Sequence, residues 1–206
     1  MVFLGLGLRF RTTGRGDLHC QECGGDRRYR KCAGRRWFHA FFIPLVPLAR
    51  TAEHVQCTTC GTRYRTDVLQ LPTVAQMQLA LPAGTRAAAA AMLCAGDADS
   101  LVARAHAIES IKAAGTASYS EADLDADLAR TRSGGDLAGT LRTLAIQMVM
   151  PAREWFVAGV VRIGLADGQL TQEERRAARQ IAGYMGMTSA HAHGVIWMTE
   201  ESAAGR

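Results

Sequence analysis

The 206-residue chain has no apolar run long enough to cross a bilayer. Its most hydrophobic stretch, WFHAFFIPLVPL at 37–48, is twelve residues long and carries Pro44 and Pro47, whereas a spanning helix needs about 20 apolar residues. The start, MVFLGLGLRF, holds an apolar run of only eight residues with no basic residue before it. That reads as a short β-strand rather than a secretory signal. Without such a signal the expected setting is cytoplasmic and reducing, which disfavours disulfides among the six cysteines. Patterns that carry catalysis are also missing. There is no phosphate loop and no Ser/His/Asp ordering, and GLGLR lacks the spacing of a dinucleotide fingerprint. His191 and His193 lie two apart near a helix start, so they do not share a face for a metal. The expectation is a protein with no catalytic residues, not an enzyme.

What the chain does have is two Cys-x-x-Cys pairs, Cys20–Cys23 and Cys57–Cys60, each followed by a glycine, Gly24 and Gly61. The spacing lets two thiolates converge on one ion while the backbone turns, and the glycine permits the positive φ of that turn. Two such knuckles supply four soft sulfur ligands, which suits Zn²⁺ and excludes hard cations. The 33 residues between Cys23 and Cys57 exceed the usual separation of about 15–20, so the template is stretched. A closed four-ligand site points to a structural ion, because a catalytic zinc keeps a position open. His19 and His39 then have no vacancy to fill. Cys94 lies in an Ala-rich helical stretch and reads as a small core residue, whereas Cys32, beside basic residues, reads as a free exposed thiol.

Charge is unevenly placed. Residues 1–72 carry 12 Lys/Arg against 5 Asp/Glu, and residues 73–206 carry 12 against 14. The basic half suggests nucleic acid or an anionic surface as partner. The clusters Arg27–Lys31 and Arg35–Arg36, set in a predicted hairpin, read instead as a solvated, edge-protecting strand. For WFHAFFIPLVPL the preferred reading is a buried strand beneath the metal site. Its alternative is an exposed patch that docks on a protein partner or a membrane interface through Trp37, Phe38, Phe41 and Phe42.

Composition changes near Pro72, after which the chain is Ala-rich and almost free of aromatics until Trp155. Periodicity of 3.6 predicts helices over about 73–81, 84–95, 99–114, 120–131, 136–149, 152–166, 172–185 and 189–199. Leu101, Ala105, Ile108 and Ile111 are expected on one buried face, and Ala178, Ile181, Ala182 and Met185 on another. Thr171–Glu174 has the form of a capping box and Ser120–Asp123 a weaker one, with Gly115 and Gly186 at helix ends and Pro151 in a first turn. The fold class that follows is α+β and multidomain: a small β unit over 1–70, then an all-α bundle over 73–206. One acidic loop, Gly164–Arg175, joins two of the helices. Aligned on a Ca²⁺ loop with Gly168 sixth and Glu174 twelfth, it has Ile163 and Leu165 where oxygen ligands belong, so it is not an EF-hand. Capping alone explains Asp167, Gly168, Thr171 and Glu174. The functional alternative is a weak divalent-cation or partner site of Asp167, Glu173 and Glu174, to which Asp123, Asp125 and Asp127 contribute.

Two resemblances build on these residues. The stretch Trp155–Ile196, with Ala166-Asp167-Gly168, Glu173-Glu174 and Met185-Gly186-Met187-Thr188, resembles the second half of a TerB-like domain, the tellurite-resistance-associated helical fold. That likeness implies divalent-metal binding by acidic residues and a role in stress response, metal sensing or membrane-linked complexes. The matching first-half turn, Ala113–Asp127, keeps Gly115 and Ser120-Glu121 but lacks the Asp-Gly. Residues 1–65, with Cys20-Gln21-Glu22-Cys23-Gly24, Trp37–Pro47 and Cys57-Thr58-Thr59-Cys60-Gly61, resemble small bacterial zinc-ribbon proteins, in which the apolar segment is an insertion between the knuckles. The resemblances imply a structural Zn²⁺, a protein partner, and nucleic acid as the alternative partner.

Overall fold

The structure is a computed structural model that describes residues 4–40 and 43–205. The chain divides into two compact units, Met1–Ala75 and Gln76–Arg206. The architecture is α+β, with an antiparallel sheet followed, among the described residues, by seven α-helices.

In the first unit, β1 (Leu4–Cys20) and β2 (Gly25–Ala40) form one long hairpin, paired from Leu4↔Ala40 to Cys20↔Gly25, with a bulge between Thr12 and Gly14. The other side of β2 carries β3 (Ile43–Arg50) beside its distal half and β4 (His54–Cys57) beside Tyr29–Cys32. A two-residue β5 (Arg63–Tyr64) pairs with β4, and a 3-10 turn follows over Thr66–Gln70. The basic strand β2 is therefore central and does not protect an edge, contrary to the sequence reading. This position also corrects the reading of Cys32. Flanked on both sides, with Thr12 and His54 as its register partners, Cys32 is buried. The core of this unit is small: Leu18, Cys20, Val55 and Cys57 are fully enclosed, with Cys23, Tyr29, Tyr64, Val68 and Leu69 packed around them.

Among the described side chains of the apolar stretch, none enters that core. Trp37 and Phe38 are half-buried on β2, and Val46 and Leu48 of β3 are exposed, so these residues do not pack beneath the metal site. Phe41 and Phe42 lie outside the described residues.

The second unit contains the body of α1 (Val74–Ala95) and then α2 (Leu101–Ala113), α3 (Glu121–Arg132), α4 (Leu137–Ile146), α5 (Met150–Gly164), α6 (Gln172–Tyr184) and α7 (Ser189–Ala204). Where the sequence suggested two helices over 73–95 there is one, and Pro82 lies inside it. Each helix contributes to a single core, including Met92, Ile111, Leu124, Leu144, Val157, Ile181 and Ile196. Ala178, Ile181, Ala182 and Met185 are buried together as the periodicity implies. On α2 the phase differs. Leu101 and Ala105 are exposed, and the inward face is Ala103, Ala107, Ile108 and Ile111. Both capping boxes form, Ser120 with Asp123 and Thr171 with Glu174.

Candidate metal centre

Each knuckle is a strand end folded back on itself. β1 stops at Cys20, Gly24 donates its N–H to the Gln21 carbonyl at 3.3 Å, and β2 starts at Gly25. β4 stops at Cys57, whose carbonyl accepts from Gly61 N–H at 3.1 Å, while its own N–H donates to the Thr62 carbonyl at 3.0 Å. Gly24 and Gly61 have φ of 63° and 77°, the left-handed turn that a side chain disfavours. Sheet register then brings the knuckles together. β2 starts at Gly25, two residues after Cys23, and four residues on its Tyr29 is the partner of Cys57. A loop of 33 residues becomes a short distance in space because the chain between the pairs leaves along β2 and returns along β3 and β4.

The four Sγ atoms of Cys20, Cys23, Cys57 and Cys60 all lie within 4.8 Å of one another. Cys20 Sγ and Cys60 Sγ are 3.7 Å apart. A tetrahedron of thiolates with metal–sulfur bonds of about 2.3 Å sets its sulfurs about 3.8 Å apart, so this edge needs no adjustment to accept an ion. None of the six cysteines is in a disulfide.

The surroundings tune the thiols unequally. Tyr64 Oη lies 3.1 Å from Cys20 Sγ, and its hydrogen bond holds the Cys20 thiol below its ordinary range although burial opposes this. Thr62, through its hydroxyl 3.2 Å away and its backbone amide, brings Cys60 down to about 6. Burial and the neighbouring thiols of Cys60 and Cys20 push Cys23 up to about 12. The hydrogen bond to Cys20, together with burial, also raises the Tyr64 hydroxyl to about 12. Four crowded sulfurs shed all their protons only when a cation arrives, and this donor set of soft sulfurs fits a thiophilic metal ion. When bound, such an ion cross-links the two knuckles. Leu18 and Val55 wall the site on the protein side, and Cys60 faces solvent.

Comparison with family models, with curated proteins and with solved structures finds no match to this chain. The metal centre therefore rests on its own geometry. Sequence reasoning missed Tyr64 and Thr62. They follow Cys60 by four and two residues, and only the β4–β5 register, Val55↔Tyr64, turns the Tyr64 ring toward the sulfurs.

The second candidate site takes a different form. Among the described residues, the four cysteines are the group of three or more metal-ligating side chains that converges. Asp167 and Glu173 are exposed. Glu174 is only 5% exposed and is occupied as a cap: its Oε2 accepts from Thr171 N–H at 2.7 Å and from Thr171 Oγ1 at 2.9 Å. The carboxylate lies over the bare Cα of Gly96, where a Cβ would strike it. Asp123 caps α3 through Ser120, Asp125 pairs with Arg104 at 2.7 Å, and Asp127 lies in an ion cluster of its own. Capping accounts for Glu174, and among the described residues these aspartates do not converge with it on a cation site. No helix among the described residues is long and apolar enough to cross a membrane.

Proposed function

We propose that the first unit is a zinc ribbon in which Cys20, Cys23, Cys57 and Cys60 hold one structural Zn²⁺. On this reading the chain works without catalysis, as a recognition module of a bacterial stress-response type. The convergence of the four thiols within 4.8 Å carries the proposal. An ion held by four protein sulfurs has no open position for water or substrate, which separates structural from catalytic zinc. The unit also needs the ion. Its core rests on Leu18, Val55 and a few partly covered neighbours, and domains this small draw stability from a metal or disulfide. A reducing, cytoplasmic compartment suits this reading, because thiolates stay available to the metal there. The helical unit is read as a TerB-like domain that docks a protein partner, supported by the Ala166-Asp167-Gly168 turn and the Thr171–Glu174 box. No cation is assigned to Asp167, Glu173 or Glu174.

Metal analysis of protein purified without added metal tests this. One equivalent of zinc per chain is expected for the wild type and less than a tenth for Cys57→Ser. A full equivalent in the variant contradicts the four-cysteine assignment.

A further inference from the structure

The register of the first unit sorts its arginines onto faces. Directly paired residues of antiparallel strands project to the same side, so Arg15↔Arg30, Arg30↔Gln56 and Gln56↔Arg63 form one row across β1, β2, β4 and β5. Arg28 lies two residues along β2 from Arg30 and thus on the same side. The opposite side carries Tyr29, Val55, Cys57 and Tyr64, which pack around the metal site. Arg15, Arg28, Arg30 and Arg63 are all exposed, and none forms an ion pair among the described residues. Arg15 and Arg30 are direct cross-strand partners. Like charges placed that way destabilise a sheet, so the arrangement works against folding and is relieved by a polyanion laid across it.

An aromatic platform adjoins the row. Phe10 lies over Gly34, is 45% exposed, and meets the His54 ring edge-on at 5.0 Å. The Arg63 guanidinium sits over the Phe10 ring, 5.5 Å from its centroid. Exposed aromatic and guanidinium planes beside a basic track are what unpaired bases stack on, while the arginines take the phosphates. A lipid surface or an acidic peptide matches the charge and makes no use of the stack.

We infer that this sheet face binds single-stranded nucleic acid, with the Arg63 guanidinium supported on Phe10 and the adjoining His54 ring as the stacking platform and Arg15, Arg28 and Arg30 on the phosphates. The inference rests on the ribbon reading, because the metal centre holds β1, β2 and β4 in register beneath the face.

Fluorescence anisotropy of a labelled 15-nucleotide single strand with the full-length protein, titrated across salt, tests it. Each phosphate contact contributes about 0.7 to the slope of log K against log salt for single strands. Arg15→Ala/Arg30→Ala is therefore expected to lower that slope by about 1.4. Phe10→Leu, which keeps packing over Gly34, is expected to weaken binding at least about fivefold with the slope unchanged. Arg9→Ala/Arg35→Ala alters a row on the opposite side and is expected to have a much smaller effect. The face assignment is overturned by an equal loss in that control, by a duplex of the same length binding as tightly as the single strand, or by tight binding to anionic vesicles with none to the oligonucleotide. Zinc content measured on every sample separates the two claims. Absent zinc defeats the ribbon, whereas full zinc without oligonucleotide binding defeats only this inference.

Discussion

Replacing Asp127 with Ala is the most informative perturbation of the helical unit. Asp127 is 3% exposed on α3. It accepts two hydrogen bonds from Arg86, Nε at 2.7 Å and Nη2 at 3.0 Å, one from Tyr119 Oη at 2.7 Å and one from Arg130 Nη1 at 2.6 Å. Removing the carboxylate leaves the Tyr119 hydroxyl buried without an acceptor and the Arg86 guanidinium without its counter-ion. Breaking a buried pair from one side costs about 3–5 kcal/mol. Arg86 keeps about a third of its side chain in water, so the lower end applies, about 3 kcal/mol, or roughly 10 °C in Tm for a unit of this size. Urea unfolding followed by circular dichroism measures it, with Arg86→Met and the double variant closing a cycle whose coupling is expected to exceed 1 kcal/mol. Acid titration supplies an independent arm. Burial pushes the Asp127 carboxyl up, but the hydrogen bonds from Arg86 and Tyr119 outweigh it and leave the carboxyl below the ordinary carboxylate range. A depressed folded-state value means the stabilisation is complete above about pH 4 and is lost as pH falls through that value. The gap between wild type and Asp127→Asn therefore closes on acidification below about pH 4. A loss under about 1 kcal/mol at neutral pH, or a gap that does not change with acid, means that Asp127 is not held as a buried, ionised partner of Arg86.

Two further outcomes follow. Tyr64→Phe removes the hydroxyl 3.1 Å from Cys20 Sγ and is expected to leave the metal stoichiometry intact while weakening metal affinity about 10- to 100-fold, measured by chelator competition. Gly96→Ala drives a methyl group into the Glu174 carboxylate and is expected to destabilise the helical unit by about 1–3 kcal/mol in thermal or urea unfolding. A neutral result there means Glu174 is not fixed by its cap.

Local features of the site were readable from residue order alone. The Cys-x-x-Cys-Gly spacing encodes two knuckles, and Thr171–Glu174 and Ser120–Asp123 encode helix starts, because each interaction closes within four residues. Non-local pairing was not readable. Cys32 sits among basic neighbours yet is buried, since β1 and β4 flank it from positions about 20 residues away on either side. Tyr64 reaches Cys20 only through the β4–β5 pairing. The break expected between 81 and 84 does not form: Pro82 lies inside α1, and burial of Gly84, Thr85, Ala88 and Ala89 after it keeps the helix continuous. On α2 the inward face is set largely by Ala103 and Ala107, residues too small to mark the phase against an exposed Leu101.

Thiol reactivity measured alongside metal release reads closure of the ribbon by its four cysteines. The native full-length protein, treated with a thiol reagent, is expected to protect Cys20, Cys23, Cys57 and Cys60 together. Those four are expected to become reactive in step with release of one equivalent of zinc to a chelator. Free reactivity of any of the four while zinc remains bound, or protection that persists after all metal has left, contradicts a ribbon closed by four thiolates.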